Sequence, residues 1–161
     1  MGIPKKLEIQ YLVGDATEPF ADGADNRIII HCCNDIYGWG RGFVISLSKK
    51  WKAPQREYKA WTHNFRLGEI QIVPVEGNIS VCNMIGQHDI YSKHGIPPVR
   101  YEAIRKCLKK VAIHCKKTNT SVHAPRFGSD LAGGKWEKIE KLINQELISK
   151  DIPVFVYDLP K

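Results

Sequence analysis

The chain has 161 residues, 43% of them hydrophobic and 25% charged, the composition of an ordinary globular protein with room for one substantial core. No apolar run approaches the ~20 residues of a membrane span, and MGIPKKLEIQ carries lysines with no apolar stretch behind them, so neither a membrane nor a secretory route is expected. The formal net charge of +7 fits nucleic acid, an acidic ligand or simply a soluble surface.

The first strand-like run is Leu7–Val13, ending in Gly14-Asp15-Ala16. A second, Arg27–Cys33, ends in Asn34 and is followed by Gly38-Trp39-Gly40-Arg41-Gly42-Phe43, three glycines at alternate positions. Helical patterns follow over Phe43–Lys50 and Pro54–Trp61, the proline suiting a first helical turn. Strand-like runs Glu69–Val75 and Ile79–Ile85 are joined by Glu76-Gly77-Asn78, a hairpin-like connection. Tyr101, Ile104, Leu108, Val111 and Cys115 recur at spacings of three and four, an apolar stripe opposite Lys106, Lys109, Lys110, Lys116 and Lys117. The strand-like run Ser121–Pro125 leads into a second glycine-rich stretch, residues 126 to 134, before another stripe at Trp136, Ile139, Ile143 and Leu147. Pro153–Tyr157 is the last strand-like run. The alternation predicts one α/β domain over residues 1–161, with a largely parallel sheet made mixed by the hairpin.

The five cysteines are odd in number and none is spaced as CxxC, which suits reduced, buried thiols in a cytoplasmic protein, or a nuclear one in a eukaryote. The six histidines lack ligand spacing, so neither a metal nor a cofactor is expected. The lysine stripe reads as a solvated helix face, with a nucleic-acid surface as the alternative.

Open α/β sheets bind ligands beyond the carboxyl ends of their strands, and both glycine-rich loops fall there. A glycine-rich loop opening a helix offers backbone N–H groups and a positive helix end to a phosphate. The familiar versions fail. A Walker A loop would need Gly at 129 and Ser or Thr after Lys135, where the chain has Ser129 and Trp136; Gly38, Gly40 and Gly42 are spaced GxGxG, not GxGxxG.

These segments, in this order, resemble a macrodomain, the ADP-ribose-binding fold, and within it the branch of ADP-ribose 1''-phosphate phosphatases and ALC1-like modules. The resemblance runs over Tyr11–Thr17, His31–Asn34, Gly38–Phe43, Asn83–Gln87, Pro97–Ala103, Pro125–Gly128, Leu131–Gly134 and Val154–Leu159. It implies a three-layer α/β/α fold with a six-stranded mixed sheet, and ADP-ribose or an ADP-ribosyl derivative as ligand. Asp15 would accept from the adenine amino group with help from the Ala16 backbone, and Asn34 would hold the distal ribose. Gly38, Gly40, Arg41, Gly42 and Phe43 on one loop, and Gly128, Ser129, Leu131, Ala132 and Gly133 on the other, would clamp the diphosphate and distal ribose. The implied activity is hydrolysis of an ADP-ribose derivative, either the 1''-phosphate or an ADP-ribosyl ester. The alternatives are a non-catalytic reader and a basic module for ADP-ribosylated nucleic acid. Some family hydrolases use a lysine after the fourth strand and an aspartate after the leucine of the last loop. Here Ile85-Gly86-Gln87 and Leu131-Ala132 stand there, so that covalent mechanism is not expected.

The catalytic candidates are His31, as a general acid or base at the strand end, and Asp130, as a group orienting water. Each has a structural alternative: a buried hydrogen-bonded histidine, and a local loop cap. Strict strand alternation puts His31 and Cys33 on one face and Cys32 and Asn34 on the other. Trp39 is expected to anchor its loop, Phe43 to edge the ligand, and Asp35 to brace the loop.

Overall fold

A computed structural model describes residues 6–129 and 132–161. Six strands, β1 (Gln10–Val13), β2 (Asn26–Asn34), β3 (Ile70–Glu76), β4 (Ile79–Gln87), β5 (Thr120–Ala124) and β6 (Val154–Asp158), form one sheet in the order β1-β6-β5-β2-β4-β3. All neighbours are parallel except β3, which runs antiparallel to β4 through the tight turn at Gly77-Asn78. The carboxyl ends of the five parallel strands therefore share one rim.

Among the described residues there are four helices, α1 (Phe43–Lys50), α2 (Ala53–Ala60), α3 (Tyr101–Thr118) and α4 (Trp136–Glu146), with a short 3-10 turn at Ile148–Lys150. The three-layer α/β/α arrangement with a six-stranded mixed sheet is the expected one. Ile28, Ile30, Met84, Val122 and Val156 pack against Ile104, Leu108 and Val111 of α3 and Ile139 and Ile143 of α4. Fully burying each such side chain is worth about 1.5–3 kcal/mol, so these two stripes fix the face on which α3 and α4 dock. On the other face Ile29, Cys33, Val81 and Ile85 meet Val44 and Leu47 of α1 and Tyr58 of α2.

Most boundaries move by one or two residues from the sequence reading. β1 is shorter than expected: Leu7 and Ile9 pack on the core without joining the ladder, because β6 pairs only from Gln10 to Val13. β2 and β4 run on to Asn34 and Gln87, and their pairing slips between Cys33 and Asn34 so that Asn34 meets Gln87. Strict alternation fails at this strand end. The Asn34 amide reaches Tyr58, on the same face as Cys33, and not the opposite one.

Candidate functional site

A cleft of about 1320 Å³ opens along the carboxyl rim, bounded by the ends of all five parallel strands. Gly14, Asp15 and Ala16 line one end; Asn34, Gly38, Gly40, Arg41, Gly42 and Phe43 line one flank, and Gly128, Ser129 and Ala132 the other. The structure thus brings the two glycine-rich loops together across one space. Leu131 and Asp130 lie outside the described residues, and Gly133 is exposed beyond the cleft lining.

The first loop is held by side chains of its own neighbourhood. Asn34 Oδ1 accepts from the backbone N–H of Gly38 at 2.8 Å and of Ile36 at 3.0 Å, while its Nδ2 donates to the Gly38 carbonyl at 3.0 Å. The Tyr58 hydroxyl lies 2.6 Å from the Asn34 carbonyl and 2.9 Å from Oδ1. Asn34 is 7% exposed and closes the loop, leaving one Nδ2 hydrogen for anything bound. Gly38 is small for that reason: a Cβ there would stand 2.8 Å from the Asn34 amide nitrogen. Gly42 has a different reason. It begins α1 with φ 78° and ψ −142°, a backbone state that side chains with a Cβ avoid. Trp39 anchors the loop, buried, with its indole N–H donating to Ser48 at 2.7 Å and its ring against Tyr58. Asp35 braces it from outside, accepting from the Asp89 backbone at 2.8 Å and meeting His88 Nδ1 at 2.7 Å.

At the β1 end, Asp15 Oδ1 accepts from both the backbone N–H and the hydroxyl of Thr17 at 2.8 Å. This turn-type use fixes the carboxylate at the cleft wall and leaves Oδ2 as its remaining acceptor. Beside it, Arg126 grips Asp158 through two bonds of 2.6 and 3.0 Å, and its guanidinium lies over the rings of Tyr11 and Trp136. That pairing holds the Asp158 carboxyl below its ordinary range. Ser129 turns its hydroxyl to the Arg126 carbonyl at 2.8 Å, so what its loop offers the cleft is backbone.

His31 lines the cleft but is only 2% exposed. Its Nε2 lies 2.6 Å from Asn83 Oδ1, and the Asn83 amide nitrogen donates to Pro54 and Gln71, so Oδ1 accepts and His31 Nε2 carries the proton. Burial lowers the His31 pKa to about 4, against the smaller opposing effect of Asn83. The ring is neutral at physiological pH and packs against Trp39 and Phe43. Its one ring N–H is held by Asn83, and a neutral imidazole is no general acid there. The geometry is that of the structural alternative, a buried brace.

Several lining residues were missed by the sequence reading: Gln87, Arg126, Tyr157 and Asp158 at the ends of β4, β5 and β6, and Ile90 and Tyr91 beyond β4. The strand-end rule could have found the first four. Nothing local marks Ile90 and Tyr91, which arrive through the long-range tie from Asp35 to His88 and Asp89. Of the lysine face on α3, Lys110 is occupied by Glu69 at 3.1 Å and the Gly68 carbonyl at 2.7 Å.

No protein-family model matches the chain. A macrodomain protein from Streptomyces coelicolor is 45% identical and superposes with a TM-score of 0.83, over 94% of this chain and 99% of that one. The chain belongs to the macrodomain family. This macrodomain is also similar to a Bacteroides thetaiotaomicron protein of unknown function, 52% identical with a TM-score of 0.93, over 96% of this chain and all of that one. A mouse chromodomain-helicase-DNA-binding protein 1-like is 29% identical over 95% of the macrodomain, which spans only 18% of that relative's length. An ADP-ribose 1''-phosphate phosphatase of Lodderomyces elongisporus is 23% identical, over 94% of this macrodomain and the whole of that protein.

Proposed function

We propose that the chain binds ADP-ribose in this cleft and hydrolyses an ADP-ribose derivative, the 1''-phosphate monoester or an ADP-ribosyl ester on another molecule. The observation that carries it is the pair of glycine-rich loops facing each other across a cleft larger than the few hundred to 1,000 Å³ of most small-molecule sites, and so suited to an elongated dinucleotide-like ligand. Asp15 Oδ2 receives the adenine amino group beside the Ala16 backbone. The N-terminal turn of α1 and the backbone from Gly38 to Phe43 take the diphosphate, with Arg41 supplying positive charge and Gly128, Ser129 and Ala132 closing from the other side. The free Nδ2 hydrogen of Asn34 meets the distal ribose. Rate acceleration comes mainly from positioning and backbone donors, with Asp130 orienting the water.

A second reading, the non-catalytic reader, is favoured by one observation: His31 is neutral, buried and bound to Asn83, so it does not supply the acid. One set of measurements separates the two. Calorimetry with ADP-ribose is expected to give one site, with AMP and ribose 5-phosphate much weaker, since contacts spread over base, diphosphate and distal ribose. The protein is then incubated with ADP-ribose 1''-phosphate, with ADP-ribosylated glutamyl protein and with ADP-ribosylated DNA, and released phosphate or ADP-ribose is measured. Turnover that collapses in Asp130→Ala while ADP-ribose affinity is kept supports the enzyme. Binding with no release from any substrate leaves the reader. AMP binding as tightly as ADP-ribose rejects the two-loop clamp.

A further inference from the structure

The chain between β1 and β2 crosses β6 and β5 as an irregular segment, on the face that α1 and α2 cover elsewhere. Phe20 packs edge-on against Phe155 of β6, and Asp22 reaches Ser121 of β5. A covering segment without helical hydrogen bonds brings backbone groups that need partners, and the sheet below it is correspondingly polar. Ser121 and His123 are fully buried there, whereas Val122 and Ala124, facing α3 and α4, are aliphatic.

These groups and the covering segment form one continuous chain of hydrogen bonds. The Phe20 backbone N–H donates to the Tyr157 hydroxyl at 2.7 Å, which lies 2.8 Å from His123 Nδ1. His123 Nε2 lies 2.9 Å from Ser121 Oγ, and Ser121 Oγ donates to the Asp22 carboxylate at 3.0 Å. Donor counting leaves one direction. Asp22 only accepts, so the single Ser121 proton goes to it, and Ser121 must receive its other bond from His123 Nε2–H. His123 Nδ1 is then an acceptor and takes the Tyr157 proton, while the Tyr157 oxygen accepts from Phe20. Burial keeps the ring neutral, as this arrangement demands. The chain begins and ends on the same covering segment, two residues apart.

Its Tyr157 link meets the cleft. Tyr157 lines it beside Gly14, where a Cβ would stand 3.6 Å from the Tyr157 ring, and Tyr157, Phe155 and Ala16 form one cluster with Phe43 packed against it. We infer that His123 is a positioning residue for the end of the cleft formed by Gly14, Asp15 and Ala16, setting base recognition through Tyr157 and Phe20 without touching the ligand. This rests on the reading that the cleft takes ADP-ribose with its base at that end. Stacking of the His123 ring on Phe155, 5.0 Å between centroids, locks the imidazole in the plane the chain requires.

The test has two parts. Nitrogen-detected NMR of the whole protein near pH 7 is expected to show His123 protonated at Nε2 and bare at Nδ1; the opposite tautomer overturns the network. Affinities of Tyr157→Phe, Ser121→Ala and His123→Gln for ADP-ribose, AMP and ribose 5-phosphate are then compared. The positioning role predicts roughly tenfold weaker binding of the two adenine ligands in Tyr157→Phe and Ser121→Ala, an unchanged ribose 5-phosphate affinity, and partial recovery in His123→Gln, whose amide both accepts and donates. A lowered melting temperature with all three affinities unchanged, or weakened equally, overturns it. Failure of the parent protein to bind ADP-ribose would remove the functional reading and the base-end role together; parent binding with equal losses in the variants removes only the role of His123.

Discussion

Acidification from pH 7 to pH 4.5 is expected to cost this fold several kcal/mol through two histidines alone. His31 and His123 are both buried neutral, with pKa lowered from 6.5 to about 4 in each case, chiefly by desolvation. Above pH 6.5 neither state of the protein protonates them and they leave stability unaffected. Below it the unfolded chain takes up the protons and the folded one does not, so stability falls as pH drops through the window from 6.5 to about 4. At pH 4.5 each ring has lost nearly two pH units of this difference, roughly 2.5 kcal/mol, or about 5 kcal/mol for the pair. That is comparable to the whole stability of a marginal domain. The native carboxylates held low, Asp158 by Arg126 and Glu102 by Arg105, act in the same direction mainly at more acid pH, while His114, lowered by its partial burial, adds a further contribution of the same sign within the window. Urea unfolding at pH 7, 6, 5 and 4.5 measures the slope. His31→Leu is expected to remove the His31 share, somewhat under half, whatever it does to stability at pH 7. A flat profile between pH 6.5 and 4.5 would contradict the buried, neutral placement of both rings.

Gly40→Glu is expected to reduce ADP-ribose affinity by well over tenfold in a protein that still folds. A glutamate at Gly42 would test the same idea poorly, because φ 78° strains any side chain there and loop distortion would be confounded with charge. Gly40 lacks that problem: a Cβ meets nothing within 4 Å, and Gly40 is not among the positive-φ residues. A carboxylate about 5 Å from a phosphate charge costs on the order of 3 kcal/mol at an effective dielectric constant near 20. Gly40→Gln, of similar size and uncharged, should lose much less. Calorimetry on the three proteins, with circular dichroism as the folding control, decides it. Equal losses in Gln and Glu would mean that bulk matters and charge does not; no loss in either would place the diphosphate away from this loop.

The macrodomain resemblance was legible because it rests on local signals in a fixed order. Valine- and isoleucine-rich runs, two stripes at helical spacing and the turn at Gly77-Asn78 are each set by a few adjacent residues, and they were enough for the layers and the mixed sheet. The two glycine-rich loops were legible for the same reason, since each lies within about ten residues of a strand end. Local signals could not assign work to individual polar side chains. Asn34 became the brace of its own loop because its amide is taken up by the Ile36 and Gly38 backbone and by the Tyr58 hydroxyl of α2. His31 became a neutral core group because burial disfavours its charge, with Asn83, on the neighbouring strand, accepting from its one ring N–H. Ser121 and His123 read as ordinary strand residues until the segment carrying Phe20 and Asp22 is laid over them. Period and propensity are properties of neighbours in the chain, whereas register, burial and donor direction depend on partners tens of residues away. Two glycine-rich stretches at strand ends mark where a ligand cleft forms; register and burial choose the side chains left free to face it.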